Sequence, residues 1–339
     1  MNLKDLSILI LLSVFIIIIG SFRFNRNDFG ISNLTVPNST YDPIKSNDAI
    51  RYINMTDYYK GTADPEILIP PYTTRVLVPF IASKLPFASD TSINIINLAA
   101  MIFSLFLLYY TLIIYKLPER LIYLGCCLYV FSFPTFYYGT VTYVDAVLLF
   151  FLFLSFYFIL TGRVIYLILT LILGTCVKES MLLIIPVFFV NSVLIKNKLP
   201  SVFLKTFTLL IIYFLTIYFL HMIKPNKLSY LWFPSYEVFI SNVIRPRTFL
   251  SFILTFGIPG VLSVLLIIYY FMKDKSVIKV NLTLITGLII SFCLWCYSVI
   301  SAYSDGRFIW PSIVFSLPLS MIFLNLYLSK ENTNLSKKL

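Results

Sequence analysis

Apolar runs of roughly 18–25 residues recur along the whole chain, and this feature constrains its fold more than any other. A helix of about 20 apolar residues crosses a bilayer with all of its backbone hydrogen bonds made internally. The other spanning architecture is a β-barrel, whose strands alternate apolar and polar residues. "SVFIIIIG" (13–20) and "LLFFLFLSFYFIL" (148–160) do not alternate. With 59% hydrophobic residues, 12% charged residues and a mean hydropathy of +0.89, the chain reads as an all-α polytopic membrane protein forming one integral domain.

The runs predict about ten spans, over 6–24, 91–115, 120–138, 143–161, 164–177, 180–195, 201–222, 248–272, 280–302 and 308–328. The fifth and sixth are short and read as a broken pair meeting at "CVKES". Lys4 precedes the first run and no A-x-A cleavage pattern falls before Arg23, so it reads as a retained helix rather than a signal peptide. Residues 73–87, "TTRVLVPFIASKLPF", are apolar but too short to span, and predict a re-entrant or interfacial helix.

Lysine and arginine in the connections set the orientation. The short loops "YKLPER", "TGR", "IKNKLP" and "MKDK" are basic. Placing them inside puts both termini inside, with only Asp5, Glu119, Asp274 and Glu331 as inner acids, so most of the net +11 lies there. The outer side then receives residues 25–90 and 223–247, three short turns and most of the acids. Chemistry is expected on that face, where long loops sit on a rigid scaffold: the periplasm or exterior of a bacterium, or an organelle lumen. The basic balance is an orientation signal, and no soluble basic patch interleaved with aromatics points to nucleic acid. Cys126, Cys127, Cys176, Cys293 and Cys296 lie in apolar segments without zinc-site spacing, and the single His221 excludes a multi-histidine metal site.

Charges recur in the outer segments. "NDAIRYI" sets Asp48, Arg51 and Tyr52 at i, i+3 and i+4, one face if helical. Asp48 is either a helix-terminus charge, with Asn47 as the cap, or a general base at the membrane surface. Arg75 opens the apolar segment after Pro70 and Pro71, and either snorkels or grips a phosphate. Asp145 stands at the mouth of a span, where an acid needs water or a partner; the bland reading leaves it among lipid headgroups. In "KES", Lys178 and Glu179 either neutralise each other or face a polar cavity. "YSDGR" carries Asp305 and Arg307 in a turn that Gly306 suits. An aromatic belt accounts for the tyrosines of these turns, but not for repeated charges at one depth. A shared outer cavity that binds an anionic headgroup accounts for the charges.

The same residues resemble the C-fold (GT-C) integral membrane glycosyltransferases, which use lipid-phosphate sugar donors, and in particular the mannosyltransferase-like members. The family's D-x-x-x-Y followed by R-x-L-x-P-L looks like Asp48, Tyr52 and then Arg75-Val76-Leu77-Val78-Pro79-Phe80. Its second outer acid looks like Asp145 in "YVDA", and its late S-x-x-R-[YF]-x-x-P looks like Ser304, Arg307 and Pro311 in "SDGRFIWP". The resemblance covers most of the chain in layout but only about 30 residues in motif. It departs where the family often pairs two acids, because Asn47 stands beside Asp48. It implies transfer of one sugar, with inversion, from a polyprenyl-phosphate sugar to the hydroxyl of a glycan or lipid acceptor. Asp48 and Asp145 would be catalytic. Arg75 and Arg307, then Lys178, would hold the donor phosphate, with Arg51, Tyr52 and Asp305 binding substrate. The resemblance implies no cofactor, and a divalent metal is optional.

Two other readings stay open. A polysaccharide polymerase or ligase of the O-antigen type would use Lys224, Lys227, Arg245 and Arg247 in the 223–247 loop. A transporter of lipid-linked glycans would show internal repeats or charges at mid-membrane. A membrane acyltransferase wants an early histidine, and His221 comes late.

Overall fold

The computed structural model describes residues 2–24, 47–195, 198–225, 233–302 and 304–335. Among these there is no strand. The helices are α1 (Leu3–Phe24), α2 (Asn47–Lys60), α3 (Leu77–Ser83), α4 (Ser89–Ile114), α5 (Glu119–Val130), α6 (Phe133–Tyr137), α7 (Asp145–Leu160), α8 (Val164–Val177), α9 (Ile184–Leu194), α10 (Leu199–Ile223), α11 (Tyr236–Ile244), α12 (Pro246–Lys273), α13 (Lys275–Val280), α14 (Leu282–Ser301) and α15 (Ile313–Leu335).

Among the described residues, six helical segments are long and apolar enough to cross a membrane: 3–20, 89–114, 199–223, 246–273, 282–301 and 306–329. This is the composition of an integral membrane protein. The segments 145–160, 164–177 and 179–194 are shorter apolar helices. The expected span 120–138 is broken. Pro134 has no N–H for the Val130 carbonyl and its ring would clash with that group, so α5 stops at Val130, Ser132 is extended, and Pro134 falls in the first turn of α6, where a proline is tolerated. α12 bends at Gly257, which takes φ +54°, two residues before Pro259.

α7 and α15 run through the middle of the bundle. Leu148, Leu152, Phe153 and Phe156 on one, and Val314, Phe315, Leu317 and Leu319 on the other, are buried in one core. α4 packs along α7, and α5, α8, α9, α12 and α14 surround the pair. α1 and α10 lie at the rim with most of their apolar surface outward, as a lipid-facing helix requires.

The bundle separates its two sets of connections. At one end Asp5 accepts hydrogen bonds from Tyr109 and Tyr123, both at 2.5 Å, and Lys4 pairs with Glu119. This ties α1 to the junction of α4 and α5, among the loops expected inside. At the opposite end α2, α3 and the single-turn helix Tyr72–Thr74 pack on one another and against α4, α8 and α10, and Asp48 of α2 pairs with Arg307 just ahead of α15. The short helix expected within 73–87 is thus α3, seven residues long. α2 holds this layer down through Ala49, Tyr52, Met55 and Thr56, a buried stripe at i, i+3 and i+4 spacing. Residues 25–46 of the expected outer loop fall outside the described residues, as do Tyr303 and Lys227.

Candidate functional site

Three buried connections bring charge to the covered end. The Asn97 side-chain amide, from α4, donates to the carbonyls of Val141 (3.1 Å) and Tyr143 (2.7 Å). That fixes residues 140–144 and sets Asp145 at the first turn of α7, where the helix dipole favours a carboxylate. Between α8 and the next helical turn, Lys178 is extended (φ −162°, ψ 140°), and it and Glu179 turn to different partners. The turn before α15 is held from three helices. The Asn242 amide on α11 donates to Val299 O (2.9 Å) and Ala302 O (2.6 Å), and its oxygen accepts from Ser304 N. The Ser298 hydroxyl on α14 lies 2.8 Å from that of Ser304, and Ser251 on α12 accepts from Gly306 N at 2.9 Å. Gly306 lies so close to the α12 backbone at Ser251 that no side chain fits there.

The charges meet in pairs. Lys178 Nζ donates to Asp145 Oδ1 at 2.6 Å, and both side chains are almost fully buried, at 5% and 4% exposed. Arg75 is buried and grips Glu179 with two prongs, Nε to Oε2 at 3.0 Å and Nη2 to Oε1, while Nη1 donates to the Tyr52 hydroxyl at 2.8 Å. The guanidinium lies 5.4 Å from the Tyr72 ring. The Tyr72 hydroxyl donates to Asp48 Oδ1 at 2.5 Å, and Arg307 pairs with the other Asp48 oxygen. Arg307 Nε lies 3.5 Å from Asp305, and its guanidinium stands over the Tyr143 ring at 4.8 Å. Four carboxylates therefore share three cations at the end of an apolar bundle.

Two carboxyls on one guanidinium are driven apart. Burial alone would raise Asp48, but Arg307, the Tyr72 hydroxyl and Arg75 outweigh it and bring Asp48 down to about 2. Burial raises Asp305 above the ordinary carboxylate range; Arg307 and its own backbone N–H only partly offset this, and the charges of Asp145 and Asp48 reinforce it. Beside the cluster a groove of about 320 Å³ runs from Glu179, past Pro70, Pro71 and Thr73, along Tyr213, Phe214 and His221 of α10. No group of three histidine, cysteine, aspartate or glutamate side chains is placed to hold a metal ion among the described residues.

The structure thus gathers Asp48, Tyr52, Arg75, Asp145, Lys178, Asp305 and Arg307 into one cluster. Arg51, half-buried on α2, takes no part in these pairs. Asp145 does not sit among headgroups, because Lys178 neutralises it inside the protein. Lys178 and Glu179 do not neutralise each other; each pairs across the fold. Asp48 is in the first turn of α2, yet its side chain serves Tyr72 and Arg307. Reading the sequence couples Glu179 only to Lys178 or a polar cavity, not to Arg75, and leaves Tyr72, Tyr143, Asn97 and Asn242 without a role. Glu179 carries a signal, a charge between two apolar runs, whereas Asn97 and Asn242 carry none. No family model, no curated protein and no solved structure matches this chain.

Proposed function

We propose that the protein is a membrane glycosyltransferase of the C-fold kind. It spans the membrane about ten times with both termini inside, and the covered end faces outward. It moves a single sugar from a polyprenyl-phosphate sugar to an acceptor hydroxyl. One observation carries this reading: charged residues from segments as far apart as 48 and 307 meet at one end of an apolar bundle, beside a groove that reaches a rim helix. A buried polar network costs stability unless every member is satisfied, so its presence calls for a chemical reason.

In the proposed step the acceptor oxygen attacks the anomeric carbon and its proton passes to the Asp48 carboxylate. The bond between that carbon and the phosphate oxygen breaks, and its electron pair leaves on the phosphate. The products are an inverted glycoside and polyprenyl phosphate. Arg307 faces the growing negative charge. Arg75 and Lys178 stand behind it, each engaged with a carboxylate. In the resting protein Asp48 is a weak base, because Arg307 and Tyr72 stabilise its ionised form. A donor phosphate drawing on Arg307 shares that cation, and Asp48 gains proton affinity as the donor binds. Proton transfer of this kind contributes roughly 100- to 10,000-fold.

The test compares wild type, a deletion strain and Asp48→Asn at normal expression in the native host, by mass spectrometry of envelope glycans and lipid-linked sugars. The expected result is that Asp48→Asn matches the deletion: one sugar is missing and its lipid-linked donor accumulates. A mutant that matches wild type while the deletion is altered removes Asp48 from the chemistry and brings the polymerase and transport readings forward.

A further inference from the structure

We infer that the groove beside the cluster is the seat of the donor's sugar ring, and that Glu179 and Thr73 select that sugar by its hydroxyl groups. The inference rests on the transferase reading and names residues outside the ion pair around Asp48. Glu179 has the most open side chain of the four clustered carboxylates, 39% exposed against 23% for Asp48, 9% for Asp305 and 4% for Asp145. It is also the one that lines the groove. Arg75 holds it from behind with two hydrogen bonds, and the Tyr213 hydroxyl donates to its backbone oxygen at 2.9 Å. The carboxylate is fixed and ionised by its neighbours while its open side meets the groove.

Thr73 supplies a second, independent observation. The residue is fully buried on the groove wall, and its hydroxyl has no hydrogen-bond partner. A buried hydroxyl without a partner costs stability unless a ligand completes it. A carboxylate and an orphan hydroxyl set beside the rings of Tyr213 and Phe214 suit a pyranose. Its vicinal hydroxyls donate to the carboxylate, and its C–H face, slightly positive, rests on the negative face of an aromatic ring. The occupant arrives attached to lipid. The groove follows α10, the long helix with the least of its apolar surface buried, and Phe214 is 59% exposed at its side.

The test uses the full chain in nanodiscs and two kinds of probe: undecaprenyl phosphate alone, and the same lipid bearing one mannose, glucose or galactose. Native mass spectrometry gives the affinity for each. Wild type should prefer one hexose-bearing lipid over the bare lipid by roughly 10- to 100-fold, the worth of one hydrogen bond to a charged group. Glu179→Gln and Thr73→Val should each cut that preference by roughly tenfold, and Thr73→Val should leave bare-lipid affinity in place. Thr73→Val should melt at or above the wild-type temperature, because the hydroxyl it removes is buried without a protein partner, so this variant carries the test even if Glu179→Gln fails to fold. Equal binding of bare and hexose-bearing lipid by wild type, or an undiminished preference in Thr73→Val, overturns the inference and leaves the transferase reading standing. Binding of neither lipid overturns both.

Discussion

Lys178→Met breaks the most deeply buried ion pair of the cluster, and the structure sets the size of the effect. Asp145 and Lys178 are 4% and 5% exposed and 2.6 Å apart. Asp145 Oδ1 depends on Lys178, and Oδ2 has no hydrogen-bond partner. Without the ammonium, the carboxylate keeps its burial and loses its charge partner. Such losses cost about 3–5 kcal/mol. Asp145→Asn with Lys178→Met removes both charges together. A buried pair is worth little against neutral residues of similar volume, so the double variant should lie within about 1 kcal/mol of wild type. Asp145→Asn alone leaves the ammonium buried and unpaired at a similar cost, so the cycle should report a coupling energy of at least about 5 kcal/mol. Equilibrium unfolding in bicelles by steric trapping measures all four corners. If Lys178→Met alone costs less than about 1 kcal/mol, then Asp145 is compensated by another group or by water, and the account of this pair as a sealed, mutually dependent unit is wrong. If the double variant is stable but inactive, the pair serves the chemistry as well as the fold.

Three further outcomes follow from single contacts. The Asp48 carboxyl falls from 3.8 to about 2 on folding, which links about 2 kcal/mol of stability to its ionisation. That stability is complete above about pH 4 and is lost as pH falls through 2, so Asp48→Asn should flatten the acid limb of a stability–pH curve, and an unchanged limb refutes the pairing. Asn242→Ala removes three hydrogen bonds that hold the turn carrying Arg307, and should cost about 2–3 kcal/mol in the same unfolding assay. Gly306→Ala drives a methyl group against the Ser251 carbonyl and the Thr255 hydroxyl, and should cost about 3 kcal/mol or abolish folding, seen as loss of the monodisperse peak in size exclusion.

The helices were legible because a bilayer demands one simple pattern, a long apolar run, and each run expected to span contains helix. Misplaced boundaries mark local chemistry that the pattern ignores, as Pro134 shows by breaking 120–138. The charged residues of the cluster were legible for the converse reason. In a chain with 12% charged residues, an acid at the edge of an apolar run is conspicuous, and Asp145 and Asp305 stood out without any structure.

Pairing was not legible. Lys178 adjoins Glu179 in sequence, yet it is bound to Asp145, 33 residues away, while Glu179 meets Arg75 at a separation of 104. Nothing local favours these partners; they follow from which helix ends the bundle brings together. The neutral residues that position the charges were least visible, because Asn97 and Asn242 look like any polar residue near a membrane surface until their amides are seen bonded to carbonyls of distant turns. The carboxylates and guanidiniums of such a site can be read one at a time from the chain. Their basicity cannot, because Asp48 and Asp305 are the same residue type on the same arginine and are driven in opposite directions by what lies behind each of them.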